Sequence, residues 1–216
     1  MRKTVADIVG EVRVCMDEIG LNDSEFMGEK DSEALDTIIR SKIIDALTFV
    51  NGNADKELLS PDAVLADGLA IDDDMTGRVV LPDDFLRLVY ARLSSWVFAV
   101  DEPVIWTDKR YVMLHDRYAT GSWERPAVAL SRKGGRKVLE LYKAKSGDDA
   151  FEAAVMTVPK ITGDAVEVSD LLGVALVYYI TGLTLLTLKD GHADAMFNQA
   201  LTLMGISPQA ASSATD

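Results

Sequence analysis

With 216 residues, 48% of them hydrophobic, the chain can bury a core of its own as one domain of ordinary size or a domain with an elaboration. Thirty-five acidic against twenty-two basic side chains give a net charge of −13 and an isoelectric point near 4.6, a surface that repels phosphates and argues against sequence-independent nucleic-acid binding. A single cysteine, Cys15, excludes an internal disulfide framework, and with only His115 and His192 beside it leaves too few soft ligands for zinc.

The amino terminus enters an amphipathic segment directly, and its Asp7, Glu11 and Asp17 fit neither a secretory nor a transit peptide. Val5, Ile8, Val9, Val12, Met16 and Ile19 recur at helical spacing, with Thr4 and Asp7 as a capping pair, which predicts a helix over 5–19. Asn22 to Gly28 reads as a linker. Asp31 or Ser32 then caps a second helix whose face is Leu35, Ile38, Ile39, Ile43, Ala46, Leu47 and Val50, stopped at Asn51-Gly52. Ser60-Pro61-Asp62 is a further helix start, limited to a short piece by Gly68, and Asp67 to Asp74 reads as acidic loop.

From Thr76 the helical period gives way to β-rich segments, with strands expected at 78–81, 85–100, 127–132, 136–142 and 151–158. Gly134-Gly135 between two of them suits a tight two-residue hairpin turn, because glycine accepts the positive φ angles such a turn demands. Asp108 to Tyr118 is left open between a short helix and an irregular excursion. Ser169-Asp170 then opens a charge-free run, Leu171 to Leu188, which turns at Lys189-Asp190-Gly191 into a helix over 192–204 with Ala193, Met196, Phe197, Ala200 and Leu203 on one face. The run approaches the ~20 residues of a membrane span. Gly173, Thr181, Gly182, Thr184 and Thr187 dilute it and no basic cluster flanks it, so burial in protein is the expectation.

The expected fold is therefore α+β, a helical bundle made by the N- and C-terminal helices with a small antiparallel sheet inserted. Residues 1–206 form one domain, divided into N-terminal helices (1–75), a β-rich insertion (76–163) and a C-terminal helical hairpin (164–206). The segment 207–216 is expected to be a flexible tail, since it lacks apolar content to pack.

The string Leu81-Pro82-Asp83-Asp84-Phe85-Leu86-Arg87-Leu88-Val89 is followed by Trp96, by a Tyr- and Arg-rich stretch (Tyr111, Arg117, Tyr118, Gly121), by Arg125-Pro126 and by a basic hairpin ending Leu139-Glu140-Leu141-Tyr142. A strand bounded by proline, a long apolar helix and a polar-apolar helix complete the succession. Over roughly residues 78 to 204 this order resembles the head-to-tail connector proteins of tailed phages, particularly the ring proteins of crAss-like phages. Met113, Leu114 and His115 stand where that pattern would be more polar. The resemblance implies a non-enzymatic virion protein, made in the host cytoplasm. It implies a homo-oligomeric, dodecameric ring at the head-tail interface that binds the portal and other tail proteins while double-stranded DNA passes without specific binding. A non-viral intracellular protein-interaction module is the alternative, and a protein attached to a membrane through 171–188 a more distant one.

Arg132, Lys133, Arg136 and Lys137 surround the Gly134-Gly135 turn of an otherwise acidic chain, with Lys143 and Lys145 nearby, and suit a docking finger or a charged guard on an exposed strand edge. Asp72, Asp73 and Asp74, with Asp67, Asp83 and Asp84, form the complementary acidic run. Their spacing lacks the mid-loop glycine and closing glutamate of an EF-hand, and a head-to-tail contact with a neighbour's basic hairpin is the expectation. His115-Asp116 and His192 with Asp190 or Asp194 are the only sources of general-base chemistry, without a nucleophile elbow, phosphate loop or dinucleotide fingerprint. No catalytic, cofactor or metal residue is therefore assigned. Trp96, Trp106 and Trp123 are expected as core or interface anchors.

Overall fold

The computed structural model describes residues 1–17, 29–116, 122–145 and 150–207. The expected linker over 22–28, the end of the first helix at Ile19, the Arg117, Tyr118 and Gly121 portion of the resemblance, and the tail from Pro208 lie outside the described residues. The fold is mixed α+β, with N- and C-terminal helices flanking central β-sheets. The chain divides into two compact units, one of Met1–Ser60 with Pro159–Asp216 and one of Pro61–Val158.

The first unit is helical. α1 (Val5–Asp17) starts as its sequence predicts: the Asp7 amide donates to Thr4 Oγ1 at 3.1 Å and the Thr4 hydroxyl donates to Asp7 Oδ2 at 2.7 Å. α2 runs from Glu29 to Asn53, starting before the expected caps Asp31 and Ser32 and continuing through Gly52. Its buried face is Leu35, Ile39, Ile43, Ala46, Leu47 and Val50. Two more helices follow the insertion, α4 (Gly173–Thr187) and α5 (Ala193–Leu203), numbered after the short α3 (Lys109–Leu114) of the second unit, and α4 packs on α1, α2 and α5. β1 (Arg2–Thr4) pairs antiparallel with β10 (Ala165–Glu167) beside them.

Ser169 does not cap α4. Its hydroxyl donates to the Leu58 carbonyl at 2.6 Å, so the chain makes one more turn and the helix begins after Leu172, which offers no side-chain cap. α4 is buried along most of its length: Leu176, Ile180 and Leu185 are fully buried, each removing from water a side chain whose burial stabilises by about 1.5–3 kcal/mol, while Val174 and Leu186 remain exposed. Among the described residues no helix is long and apolar enough to cross a membrane. On α5, Ala193, Ala200 and Met204 are buried and Met196 and Phe197 half-buried, whereas Leu203, expected on that face, is exposed. The 3.6-residue period carries Met204 inward in its place.

The second unit holds two sheets. β2 (Ala63–Leu65), β9 (Phe151–Thr157) and β5 (Phe85–Leu93) form an antiparallel sheet in the order β2-β9-β5. β3 (Ala70–Ile71), β4 (Thr76–Val80), β8 (Arg136–Tyr142), β7 (Ala127–Lys133) and β6 (Val104–Ile105) form the other in the order β3-β4-β8-β7-β6. β6 lies parallel to β7, so the insertion is larger and more mixed than one small antiparallel sheet.

The helix expected from Ser60-Pro61-Asp62 is strand β2. The Asp62 carboxylate accepts from the Thr157 amide at 2.8 Å, tying the segment to the end of β9 instead of capping a helix. The acidic loop contains β3, and the strand expected over 85–100 ends at Leu93, beyond which Val100 returns to bridge Ala91. The hairpin forms at the expected turn, with β7 one residue longer than the expected 127–132: Lys133 faces Arg136, and Gly134 and Gly135 have φ of 58° and 79°. The open segment after Asp108 is a short helix, α3 (Lys109–Leu114), capped where the Arg110 amide donates to Asp108 Oδ1 at 2.8 Å. Leu139, Leu141, Val128 and Val79 of the larger sheet share a core with Leu88, Leu93, Phe151 and Val155 of the smaller one.

In the helical unit Phe49 stacks on Tyr179 at 4.4 Å between centroids, and Tyr179 meets Phe197 at 5.3 Å. Gly182 lets α5 approach α4, since a Cβ there would stand 2.7 Å from Phe197 Cε1, and that ring is held by the aromatic row. Gly182→Ala is expected to cost about 1–3 kcal/mol by overpacking in denaturant unfolding. Gly10→Ala, in open space on the exposed side of α1, is expected to gain up to about 1 kcal/mol in the same assay.

Candidate functional site

Strand alternation gives the larger sheet two unlike faces. From β8, Lys137, Leu139 and Leu141 point one way, and the leucines fill the core. Arg136, Val138, Glu140 and Tyr142 point the other way, and the register sets Glu140 opposite both Arg78 of β4 and Ala129 of β7. On this second face α3 lies over β7 and β8, with Leu114, Ala129 and Tyr142 buried and Val104 of the edge strand β6, Tyr111 and Ala127 packed around them.

Glu140 is the centre of that face and is 1% exposed. Its Oε2 accepts hydrogen bonds from the hydroxyls of Tyr111 and Tyr142, each at 3.0 Å. Its Oε1 lies 3.1 Å from the Lys133 ammonium and 3.8 Å from Arg78 Nε, but neither contact has hydrogen-bond geometry, and Oε1, Arg78 Nε and the buried Ser131 hydroxyl have no hydrogen-bond partner. Arg78 also pairs with Asp72.

Burial pushes the Glu140 carboxyl up, but Lys133, the two phenols and Ser131 together outweigh it and hold it below the usual glutamate range. Burial first, then the Glu140 charge, pushes the Tyr142 phenol well above its ordinary value, and burial with the Glu140 hydrogen bond raises Tyr111.

Beside Glu140 opens a cavity of about 630 Å³, lined also by Asp73, Asp74, Met75, Thr76, Arg78, Leu114, His115, Tyr142 and Lys143. Met75 and Lys143, at its rim, have φ of 63° and 68°. Such left-handed backbone is costly outside glycine and persists where surrounding contacts hold it, here the Ala144 amide on the Met75 carbonyl at 2.8 Å and the Trp123 indole on the Lys143 carbonyl at 3.0 Å. His115 meets Tyr111 and Tyr142 edge-on at 4.7 and 6.1 Å.

The residues singled out in the sequence occupy both ends of this sheet. Asp72, Asp73 and Asp74 form the β3–β4 turn at the Tyr142 end of β8, where the Asp72 amide donates to the Thr76 carbonyl at 3.0 Å. Arg132, Lys133, Arg136 and Lys137 surround the turn at the other end, across the seven residues of β8, or ~20 Å at a strand's rise. Asp83 and Asp84 fall in the β4–β5 turn, away from the other aspartates and near Lys137, so the acidic run is not one patch. Alternation puts Lys133 and Arg136 on the Glu140 face and Arg132 and Lys137 on the other. On each face one of the two is engaged, Lys133 with Glu140 and Lys137 as donor to the Phe85 carbonyl at 2.7 Å, while Arg132 and Arg136 are exposed.

His192 stands 2.8 Å from Asp190 in an exposed turn of the helical unit. Trp96 is buried, while Trp106 and Trp123 are half exposed. Among the described residues no cluster of His, Cys, Asp and Glu is arranged to hold a metal ion. Sequence reasoning missed Glu140, Arg78 and Tyr111 as a group, although a glutamate between Leu139 and Leu141 was a signal that β8 has one apolar face.

No protein-family model matches this chain, and no curated protein matches it in sequence.

Glu140→Ala leaves the buried Tyr142 and half-buried Tyr111 hydroxyls without their acceptor and is expected to cost about 2–3 kcal/mol, less than a fully buried broken pair because Lys133 can turn to water. With its folded-state value depressed, Glu140 stabilises the fold above the unfolded glutamate value and loses that contribution as pH falls through the folded value. Wild type is therefore expected to lose stability more steeply than Glu140→Gln below about pH 4.3, measured as denaturation midpoints across the acid range.

Proposed function

We propose that this chain is a non-enzymatic head-to-tail adaptor of a tailed-phage virion, a ring between portal and tail with double-stranded DNA passing through it. The observation carrying this reading is the separation of unlike charge on one rigid sheet, Arg132 and Arg136 at one end and Asp73 and Asp74 at the other. A heterologous contact between copies needs two different, complementary patches facing different directions, and repeated around an axis it closes into a ring. The ordered motifs from Leu81-Pro82-Asp83-Asp84-Phe85 to Leu139-Glu140-Leu141-Tyr142 support the phage assignment, and a dodecamer follows from that resemblance. A net charge of −13 suits a channel past which DNA slides without being gripped. Portal and neighbouring tail proteins are the partners on this reading.

Reversing Arg132 and Arg136 to Asp, or Asp73 and Asp74 to Arg, is expected to weaken assembly by about tenfold or more, and combining both reversals in one chain to restore it, in native mass spectrometry with and without portal. Assembly indifferent to either reversal, or particles without this polypeptide between capsid and tail, would overturn the reading.

A further inference from the structure

The cavity beside Glu140 is a built site that the adaptor reading does not itself require. It combines space for a side chain, a carboxylate 1% exposed whose Oε1 has no hydrogen-bond partner, and an aromatic wall of Tyr142 and His115. The charges around it do not balance. Asp72, Asp73, Asp74 and Glu140 carry four negative charges against the three positive charges of Arg78, Lys133 and Lys143, which leaves one negative charge uncompensated among the described residues. The inner charges are already paired, Arg78 with Asp72 and Glu140 with Lys133, so the excess sits on Asp73 and Asp74 at the exposed mouth. An anionic guest would meet those carboxylates first, whereas one cation brings the site to neutrality. A guanidinium suits it better than an ammonium, because its planar fork bonds carboxylates in pairs and its face lies on aromatic rings.

We infer that this cavity receives an arginine side chain, and that its owner is the Ser131–Val138 hairpin of a second copy of this chain, through exposed Arg132 or Arg136. The owner rests on the adaptor reading. The cationic class of the guest rests on the cavity alone. The hairpin fits as donor because its tip projects past the sheet on a two-residue turn and carries two exposed arginines in a strongly acidic protein.

The test is titration of the full chain with a peptide of residues 131–138 by calorimetry, with NMR shifts of the Tyr142 and His115 rings as a second readout. Binding is expected to weaken by about tenfold or more when both peptide arginines become glutamine, and equally in an Asp73→Asn, Asp74→Asn protein, the loss of a charge-assisted contact. Those two positions are exposed and an asparagine amide oxygen at 74 can still accept from the Thr76 amide, so the variant keeps the fold even if Glu140→Gln does not. No binding, or binding unaffected by either change, overturns the cavity as an arginine receptor. Weakening by the peptide change with shifts confined to residues outside the cavity overturns it equally. If the peptide binds as expected while the full chain forms no ring with or without portal, the receptor stands and the ring reading fails. If the ring forms and ignores Asp73→Asn, Asp74→Asn while the Asp73→Arg, Asp74→Arg reversal still weakens it, the ring reading stands and the receptor fails.

Discussion

The β-rich unit depends on the register set at Gly134-Gly135. A two-residue turn with both φ angles positive leaves no choice of pairing between β7 and β8, and that pairing decides which side chains of β8 meet the core. A slip of one residue would drive Glu140 and Arg136 into the apolar layer and expel Leu139 and Leu141. Glycine is the residue that holds this turn without strain, so a local backbone preference fixes where a buried charge lies several residues away.

Glu140 can be buried because its neighbours come from four elements. Arg78 arrives from β4, Lys133 and Ser131 from β7, Tyr142 from its own strand and Tyr111 from α3. Without the cations the carboxylate would be neutral or the face open to water, since an unpaired buried charge costs several kcal/mol. The two phenols do more than fill space. Burial first, and then the charge they solvate, raises both above the ordinary phenol value, which favours them as donors to the carboxylate.

The parts of the fold legible in the sequence are those whose signal is local. The Thr4–Asp7 cap, the apolar face of α2, the turn at Lys189-Asp190-Gly191 and the Gly134-Gly135 hairpin each follow from neighbours in the chain. What was not legible depends on distant partners. β2 is a strand because Asp62 finds Thr157, α4 starts late because Ser169 finds Leu58, and β6 lies parallel to β7 through a pairing no turn announces. The candidate site divides in the same way. Arg132, Lys133, Arg136, Lys137, Asp72, Asp73 and Asp74 stand out by composition, whereas their separation to opposite ends of one sheet needs the β4–β8 register, and the cavity needs α3 lying over it.

Along the covered face the charges alternate in sign, from Lys133 to Glu140 to Arg78 to Asp72. Each inner member is neutralised by its neighbours, and such a row has little field of its own. The charges left to act outward are therefore those beyond its ends, the arginines on one turn and Asp73 and Asp74 on the other. Because the row is bonded through a sheet rather than carried on loops, the distance and direction between the two ends are fixed by backbone hydrogen bonds. A partner that reads both ends reads a rigid object, and little ordering entropy opposes its binding.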